Sequence, residues 1–444
     1  MTGNKVRIIL AAAALLLPVL ALRAEDGGSY AGYTPYSIYG VGELMMPGTA
    51  YNKTMGGVGI ASRNARFINV LNPAAVTARD SLSFMSDFSI YESNKLLRQG
   101  DRLSANNLFN INNFVISFPL FYSSVADGAM MLGIRPYSAT GYNYGYYDTN
   151  ASAIAAVGNI AHSYTGLGGL YQVFGTIGTE LFDKVSVGAE FIHYFGNIKK
   201  NYKESIADAA ALGITKETDM SLSANTVKFG LQYEQPFGEK LRLGVGAVYS
   251  LDARLDGFMT HTTIGGDAGA KVATTDTLRN MSAKAFLAGE AGVGLSLVYG
   301  NKFRAEVDYT HSDWTNSGFG GINGLSVSGA SGPLFTSGVS QSIRAGVEFI
   351  PNPTDIRYYY KLIAYRAGVY FTKENFSVSG NPIFSRGITL GITLPVFRWN
   401  NGLTIGTEIG QRGTLKDNMV RETYVGFSLG VNLFDIWFQQ PRYE

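Results

Sequence analysis

The chain has 444 residues, including 54 Gly, 27 Tyr and 26 Phe; Cys is absent and only 16% of the residues are charged. A formal net charge of +2 argues against a nucleic-acid-binding surface, and the absence of Cys excludes disulfides and lipoprotein processing. A mean hydropathy near zero, with so many glycines and aromatics, leaves two classes open, a soluble all-β protein and a transmembrane β-barrel.

The N-terminus has the features of a cleavable secretory signal. Lys5 and Arg7 precede an apolar run at 8–22, and the small residue Ala24 follows it. The run is shorter than the roughly 20 residues that a membrane-spanning helix needs, and Pro18 interrupts it. We therefore predict a signal peptide over residues 1–24 and export of the chain.

Residues 25–79 lack the alternation of a β-strand and are rich in Gly, Pro and Asn. Their cluster Gly57-Val58-Gly59 is similar to the G-x-G-x-x-G pattern of a dinucleotide site. That pattern needs a preceding strand, a following helix and a later acidic residue, and this segment does not supply them. We interpret the glycines as positions where the backbone turns tightly and other atoms approach it closely.

From about residue 81 the chain alternates apolar residues with small or polar ones, as a strand with two different faces does. In KFRAEVDYTH, for example, Phe303 and Val307 lie on one face, whereas Arg304 and Asp308 lie on the other. We predict fourteen strands, at about 81–91, 113–121, 128–137, 169–181, 184–196, 224–235, 240–252, 283–299, 302–313, 340–350, 360–372, 385–397, 402–411 and 421–433.

The links between the strands favour a membrane barrel over a soluble sandwich. Short turns alternate with predicted long loops at 92–112, 138–168, 197–223, 253–282, 314–339, 373–384 and 412–420. Outer-membrane barrels sort their loops in this way, with apolar strand faces on lipid and polar faces on the lumen. The predicted fold is an all-β, transmembrane antiparallel barrel of 14 strands over 80–433, with a tail at 434–444 and both termini on the periplasmic side.

The polar strand faces carry charges of both signs in similar numbers. A strongly selective ion channel would cluster one sign at a constriction. Mixed charges fit a network that holds something inside the barrel, or plain pairing between neighbouring strands. The predicted lumen-lining residues are Glu190, Lys228, Glu234, Arg242, Arg304, Glu306, Asp308, Arg344, Glu348, Arg366 and Glu408.

Before the first strand the chain reads MGGVGIASRNARFINVLNPAAV, with a glycine cluster, the polar SRNA at 62–65 and Asn72-Pro73-Ala74. This segment resembles the N-terminal hatch of the FadL/OmpP1/TodX family of outer-membrane transporters for hydrophobic compounds. The resemblance implies that residues 25–79 form a hatch that plugs a fourteen-stranded barrel. The hatch residues that we single out are Gly56, Gly57, Gly59, Arg63, Asn64, Arg66, Asn69, Asn72 and Pro73.

In that family a ligand enters through an extracellular groove, reaches a lumen pocket and leaves sideways at a kinked third strand. Here the third predicted strand contains Gly133 and Pro136, and Pro136 cannot donate to a ladder. Pro136 therefore marks either a lateral opening or the end of the strand. Apolar and aromatic residues in the predicted loop after it form either a binding surface or a closure of the barrel top: Tyr142, Tyr144, Tyr146, Tyr147, Ile154, Val157 and Ile160.

Other chemistry is not indicated. The four histidines lack metal-ligand spacing. His311-Ser312-Asp313 cannot form a relay alone, because adjacent strand residues point to opposite faces. We predict no enzyme activity, no cofactor and no metal site.

Two hypotheses for function follow. The first is passive transport of hydrophobic small molecules, such as long-chain fatty acids, across a Gram-negative outer membrane. The second is an integral barrel subunit of a larger outer-membrane secretion or protein-assembly complex, because fold alone does not fix function. The expected partners are membrane lipid and lipopolysaccharide, a hydrophobic ligand and, for the second hypothesis, other outer-membrane proteins; nucleic acid is not expected.

Overall fold

The computed structural model describes residues 32–79, 83–206, 213–267, 270–279, 284–329, 332–396 and 402–436. The predicted signal peptide at 1–24, the first part of the predicted hatch at 25–31 and residues 437–444 of the predicted tail lie outside the described residues. Within these ranges, no helix has both the length and the apolar character needed to cross a membrane.

Fourteen antiparallel strands form a closed barrel, which confirms the predicted fold class. Each strand pairs with its neighbours in chain order. The last strand pairs with the first from Ile436 opposite Ser83 to Arg421 opposite Arg98, which closes the barrel. The strands are β1 Ser83–Gln99, β2 Arg102–Tyr122, β3 Ala126–Tyr147, β4 Ile160–Leu181, β5 Val185–Ile206, β6 Gly213–Phe237, β7 Leu241–Ser250 continued by Asp256–Asp267, β8 Ala270–Arg279 continued by Ala291–Tyr299, β9 Phe303–Asp313, β10 Val339–Phe349, β11 Ala364–Val378, β12 Asn381–Pro395, β13 Gly402–Gly413 and β14 Arg421–Ile436.

The strand faces have the polarity of a membrane barrel. Along the second half of β8 every other residue is buried, and the exposed positions include Val293 and Leu295, at 56% and 61% exposure. The inward positions of the same stretch include Gly292, Gly294 and Ser296. An apolar outer face with a small and polar inner face suits lipid outside and a packed lumen inside.

Most of the predicted long loops are in fact strands. The segment 92–112 forms the far halves of β1 and β2, which meet at Gly100 and Asp101. Likewise, β3 continues to Tyr147 and β4 begins at Ile160, with a short helix, Ala151–Val157, between them. These extensions carry polar residues on both faces, so the apolar alternation stops while the backbone ladder continues. The loop predictions were therefore wrong in extent.

The two ends of the barrel differ. At the short-turn end, tight connections at 123–125, 182–184 and 238–240 join β2 to β3, β4 to β5 and β6 to β7. At the opposite, long-strand end the rim is uneven, because β6 has 25 residues whereas β9 and β10 have 11 each. The wall is therefore taller over β3–β6 than over β9 and β10.

The hatch residues 32–79 lie inside the barrel. They start at the long-strand end, where the Thr34 nitrogen donates to the Gly141 carbonyl over 2.8 Å. They reach the short-turn end around Arg66 before leading to β1. Prolines at the first positions of the turns Pro35–Ile38 and Pro73–Thr77 set the backbone angle there, and Thr34 and Asn72 cap these turns.

Several shorter elements complete the described residues. In the hatch they are the strand Glu43–Leu44 and the helix Ala50–Lys53. Elsewhere they are the strands Ala253–Arg254, Phe286–Leu287, Ser328–Gly329, Gly332–Pro333 and Phe335–Ser337, and the 3-10 turns Phe319–Gly321, Tyr359–Lys361 and Lys416–Asn418.

Candidate functional site

The glycine cluster of the hatch packs directly against the barrel wall. Gly56 has a φ of +74°, and its nitrogen donates to Thr389 Oγ1 over 2.8 Å. A Cβ on Gly56 would lie 2.8 Å from the Val369 carbonyl oxygen. Only glycine meets both the left-handed backbone and this close approach. Gly57 also has a left-handed φ, of +80°.

The next residues hold a carboxylate of the wall. The backbone nitrogens of Gly59 and Ile60 both donate to Asp308 Oδ2, over 2.7 and 3.0 Å. Consecutive backbone N–H groups of this kind bind anions in phosphate loops. Here the bound anion is an aspartate of the chain itself, so the similarity to a nucleotide loop has a structural explanation.

Arg63 joins the hatch to three wall strands. Its guanidinium lies 2.6 Å from Glu180 Oε2 and donates to Ser186 Oγ over 2.6 Å and to Gln232 Oε1 over 3.2 Å. On the wall, Arg304 donates to the Arg63 carbonyl over 3.2 Å. Both arginines are buried.

The other predicted hatch residues fix the fold of the hatch or its seat. Asn69 donates to the Gly59 carbonyl over 2.6 Å, and Asn64 donates to the Tyr51 hydroxyl over 3.2 Å. Asn72 donates to the Ile60 carbonyl over 2.7 Å, and Pro73 packs against Gly188 of β5. Arg66 accepts at its carbonyl from Asn432 over 2.9 Å and, with Arg63 and Asn64, lines a cavity at the short-turn end.

The predicted lumen-lining residues face inward, and both roles considered for them occur. Asp308 and Arg304 bind the hatch, whereas Arg366 and Glu348 pair within the wall over 2.7 Å. Seven are buried, namely Glu190, Lys228, Arg304, Glu306, Asp308, Glu348 and Arg366. The partly exposed ones are Glu234, Arg242, Arg344 and Glu408, of which Arg242 and Glu234 pair over 3.2 Å.

A second charged cluster near the long-strand end was missed. Hatch residue Glu43 pairs with Lys95 over 2.9 Å and also with Arg412, which contacts Glu374 over 3.1 Å. Burial raises the pKa of the Glu43 carboxyl, but the Arg412 and Lys95 cations lower it by more, to about 2. Lys95, Arg412 and Glu374 all fall in segments that the sequence predicted to be loops.

The hydrogen-bond ladder between β2 and β3 covers only part of their length. Their ladder ends at Phe114 opposite Ile134, and β3 has a bulge between Pro136 and Ser138. Beyond this point the hatch strand Glu43–Leu44 pairs with the edge of β3. Gly133 lies just inside the ladder, where a Cβ would come within 2.5 Å of the Phe174 ring.

Among the described residues, two cavities are found beside the hatch. The inner cavity, of about 280 Å³, lies beside the β2–β3 separation. The mouth cavity, of about 550 Å³, lies at the short-turn end between hatch residues 63–67 and the turns of β8–β13. Charged groups of the inner cavity are Glu43, Lys53, Lys95, Arg135, Lys228, Glu290, Arg344, Glu374, Glu408 and Arg412. A pocket for an apolar compound is mostly apolar with few polar groups. The inner cavity has apolar lining as well, including Met45, Leu108 and Trp314, but it carries more charge than that pattern.

The predicted aromatic surface is not a single loop patch. Tyr142 and Ile160 are buried, and Ile154 and Val157 lie on the helix Ala151–Val157; the side chain of Val157 is outside the description. Exposure is 37% for Tyr144, 48% for Tyr146 and 70% for Tyr147. All four tyrosines belong to β3, and strand alternation places Tyr147 on the opposite face from the others.

Tyr144 and Tyr146 instead belong to a ladder of rings that runs across three strands. The ring centroid of Tyr144 lies 5.2 Å from that of Tyr164, and the ring centroid of Tyr146 lies 4.8 Å from that of His162. The Tyr164 ring in turn lies 4.9 Å from the Tyr202 ring. We name these five residues the tyrosine face. They share the side of the wall that carries Lys200, which binds the hatch carbonyl of Ile38 over 2.7 Å, so the face looks inward above the hatch.

Among the described residues, no group of three His, Asp or Glu side chains is arranged to hold a metal ion. Solved structures share the fold at low sequence identity. The Ralstonia pickettii toluene transporter TbuX has a TM-score of 0.55 and 13% identity, covering 86% of this chain and 97% of its own. The P. putida toluene transporter TodX has a TM-score of 0.55 and 10% identity, covering 91% and 100%. A Pseudomonas aeruginosa FadL homologue has a TM-score of 0.53 and 10% identity, covering 89% and 100%.

These likenesses confirm the predicted FadL/TodX type of fold. No curated protein matches this chain. A family model described as BamG matches residues 6–444, which is nearly the whole sequence. The chain belongs to the BamG family.

Proposed function

We propose that this chain is an integral barrel subunit of a larger outer-membrane assembly and that its lumen stays closed. The observation that carries the proposal is the attachment of the hatch by largely buried ion pairs, Arg63 with Glu180 and Glu43 with Arg412 and Lys95. Moving the hatch would leave those charges buried without partners, at a cost of about 3–5 kcal/mol per broken pair. A fixed plug suits a structural subunit better than a gate.

The cavities and the family match support the same proposal. Ten charged residues are among those that line the inner cavity, and several of them pair with one another, as Glu43 does with Lys95. The cavity is therefore more highly charged than a pocket for an apolar compound usually is. The family model that matches is BamG, whereas the toluene transporters share the fold at 10–13% identity. Similarity at that level carries the fold and leaves the function open.

The tyrosine face is the surface that we assign to a protein partner. Tyr144 and Tyr146 are exposed, and neighbouring rings hold their side chains in place. Tyrosine is enriched at protein interfaces because it buries a large area at a small cost in conformational entropy. We place the long-strand end outside the cell and the short-turn end with both termini in the periplasm, with lipid and lipopolysaccharide around the apolar band.

Purification in mild detergent tests the subunit proposal. A stoichiometric protein partner should appear in native mass spectrometry, and Tyr144→Ala/Tyr146→Ala should reduce its recovery at least about fivefold. The matched control is Tyr249→Ala/Tyr309→Ala, which removes two exposed tyrosines from the outer faces of β7 and β9, away from the tyrosine face. A chain that purifies alone under all mild conditions would contradict the proposal.

A second function is favoured by one specific observation, the separation of β2 and β3 beside the inner cavity. In this alternative a hydrophobic compound enters through a groove at the long-strand end, reaches the inner cavity and leaves between β2 and β3. Native mass spectrometry after incubation with oleic acid tests it. Retained acyl chains would support transport, and their absence together with a bound protein would support the subunit.

A further inference from the structure

The mouth cavity combines an excess of positive charge with apolar walls. Among the described residues that line it, five are cationic and one is acidic: Arg63, Arg66, Arg242, Lys302 and Arg304 against Glu348. Its volume of about 550 Å³ is within the range of small-ligand sites. The cavity lies at the short-turn end, where the hatch is nearest to solvent.

Three of the five cationic residues form ion pairs with carboxylates of the chain, whereas Arg66 and Lys302 form none within the described ranges. Arg63 pairs with Glu180, Arg242 with Glu234 and Arg304 with Glu306, at 2.6, 3.2 and 3.1 Å. Glu348 pairs with the wall residue Arg366 over 2.7 Å.

Among the residues that the structure describes, no acidic group lies within ion-pair distance of Arg66 or Lys302. These two side chains therefore give the cavity a local positive potential, and a concave site with low-dielectric walls concentrates such a field.

The rest of the lining supplies apolar contact area. Phe67, Val298 and Ile350 are buried at the cavity wall, and Leu362 and Pro395 also line it. A free inorganic anion would use the cations and leave these apolar groups unused. A ligand with both carboxylates and an apolar side chain would use both parts of the lining.

We propose that the mouth cavity binds an acidic peptide segment that carries an apolar side chain. The protein that carries this segment is inferred from the proposed function, in which a partner subunit lies on the short-turn side. Binding itself depends only on the cavity. It is electrostatic at long range through Arg66 and Lys302, and apolar contact with the Leu362 side of the cavity adds to it.

Fluorescence anisotropy with the purified full chain in detergent tests the proposal. The probe is a fluorescein-labelled, glutamate-rich peptide with one central phenylalanine. Arg66→Ala/Lys302→Ala should weaken its binding at least about tenfold. The matched control, Lys184→Ala/Lys240→Ala, removes two exposed lysines from turns at the same end and outside the cavity, and should change affinity less than about twofold.

Further probes separate the two halves of the site. Leu362→Ala should weaken binding of the phenylalanine peptide and leave binding of a version with glycine in its place unchanged. Raising the salt concentration should lower the affinity, because the cations are near solvent. Barrel integrity of each variant is checked by its heat-dependent gel mobility.

Three outcomes would overturn the proposal. They are equal binding of a lysine-rich peptide, unchanged binding to Arg66→Ala/Lys302→Ala, and displacement of the probe by millimolar inorganic phosphate, which would indicate a small-anion site. The assay contains no partner subunit. A negative result here therefore leaves the co-purification result standing, and the two proposals fail separately.

Discussion

Asp308 Oδ2 on β9 lies 2.7 Å from the backbone nitrogen of Gly59 in the hatch, so the side chain of a membrane-spanning strand holds the plug by a hydrogen bond. Asp308→Ala removes the acceptor for both Gly59 and Ile60. Because leaving a buried donor without a partner costs about 1–3 kcal/mol, we expect amide exchange at Gly59 and Ile60 to speed up at least about tenfold in Asp308→Ala, and less in Asp308→Asn, which keeps an acceptor oxygen. Hydrogen–deuterium exchange measures this, and Asp313→Ala, at the exposed end of β9, is the control. Unchanged exchange in Asp308→Ala would contradict the assignment.

The Glu43 cluster predicts a pH dependence of hatch attachment. The pKa of Glu43 is lowered to about 2 in the folded protein, below its ordinary value of 4.5. Because the carboxyl pKa is lower in the folded protein than in the unfolded chain, the ionised carboxylate stabilises the folded state at any pH above the ordinary pKa of 4.5. That stabilisation is lost as the pH falls from 4.5 to the pKa of the folded protein. Hatch protection against exchange should therefore hold at pH 5 and decline between about pH 4.5 and 2, by roughly 3 kcal/mol in total.

The Glu43→Gln variant is the control for this pH dependence. It should show weaker hatch protection at pH 5 and a flatter decline below it, because the titrating group is gone while the buried cations remain. A decline of the same size in Glu43→Gln and in the wild type would assign the acid sensitivity to other carboxyls.

Substitutions at Gly56 and Gly238 distinguish the cost of a left-handed backbone from the cost of a clash with the barrel wall. Both have positive φ, at +74° and +66°, but nothing lies within 4 Å of a Cβ built on Gly238, whereas Gly56 faces Val369. Gly238→Ala should cost about 1 kcal/mol through the left-handed backbone alone. Gly56→Ala should cost at least about 3 kcal/mol or displace the hatch, since the wall backbone cannot yield. Urea unfolding followed by gel mobility compares them, and equal midpoints would refute the close approach.

The pairing of Leu44 with Ser138 allows the two functional hypotheses to be separated. The chain has no native Cys, so Leu44→Cys/Ser138→Cys can form only the designed bond, which fits the spacing of an antiparallel pair. Oxidation should proceed readily and leave recovery of a protein partner unchanged. Loss of oleic acid uptake on oxidation, restored by reductant and absent from the single-cysteine controls, would favour transport through the β2–β3 separation.

Sequence alone predicted the strands where lipid imposes alternation. Val307 and Phe303 face outward, and Asp308 and Arg304 face inward, as the alternation in the sequence predicts for β9. Beyond the part of the barrel that contacts lipid, strands no longer need to alternate apolar and polar residues. Lys95 and Arg412 fell in predicted loops, and the cluster around Glu43 was therefore missed.

The hatch could be recognised from its glycines and Asn72-Pro73, because few other residue types fit at such positions in a crowded lumen. The close approach of Gly56 to the wall is an example. Its partners on the wall depend on strand register. Asp308 was predicted to face the lumen, but no local pattern indicates that it meets Gly59. The tyrosine face likewise requires β3, β4 and β5 to be in register, which single-strand patterns do not reveal.

The unequal wall has a consequence for assembly. β6 has 25 residues and β9 has 11, a difference of 14. At about 3.3 Å per residue and a tilt near 40°, β6 extends roughly 35 Å further along the barrel axis than β9 does. A barrel with one raised side presents a different profile to each neighbour in the membrane plane. Its rotational angle about the membrane normal is therefore constrained in any complex that contacts the tyrosine face.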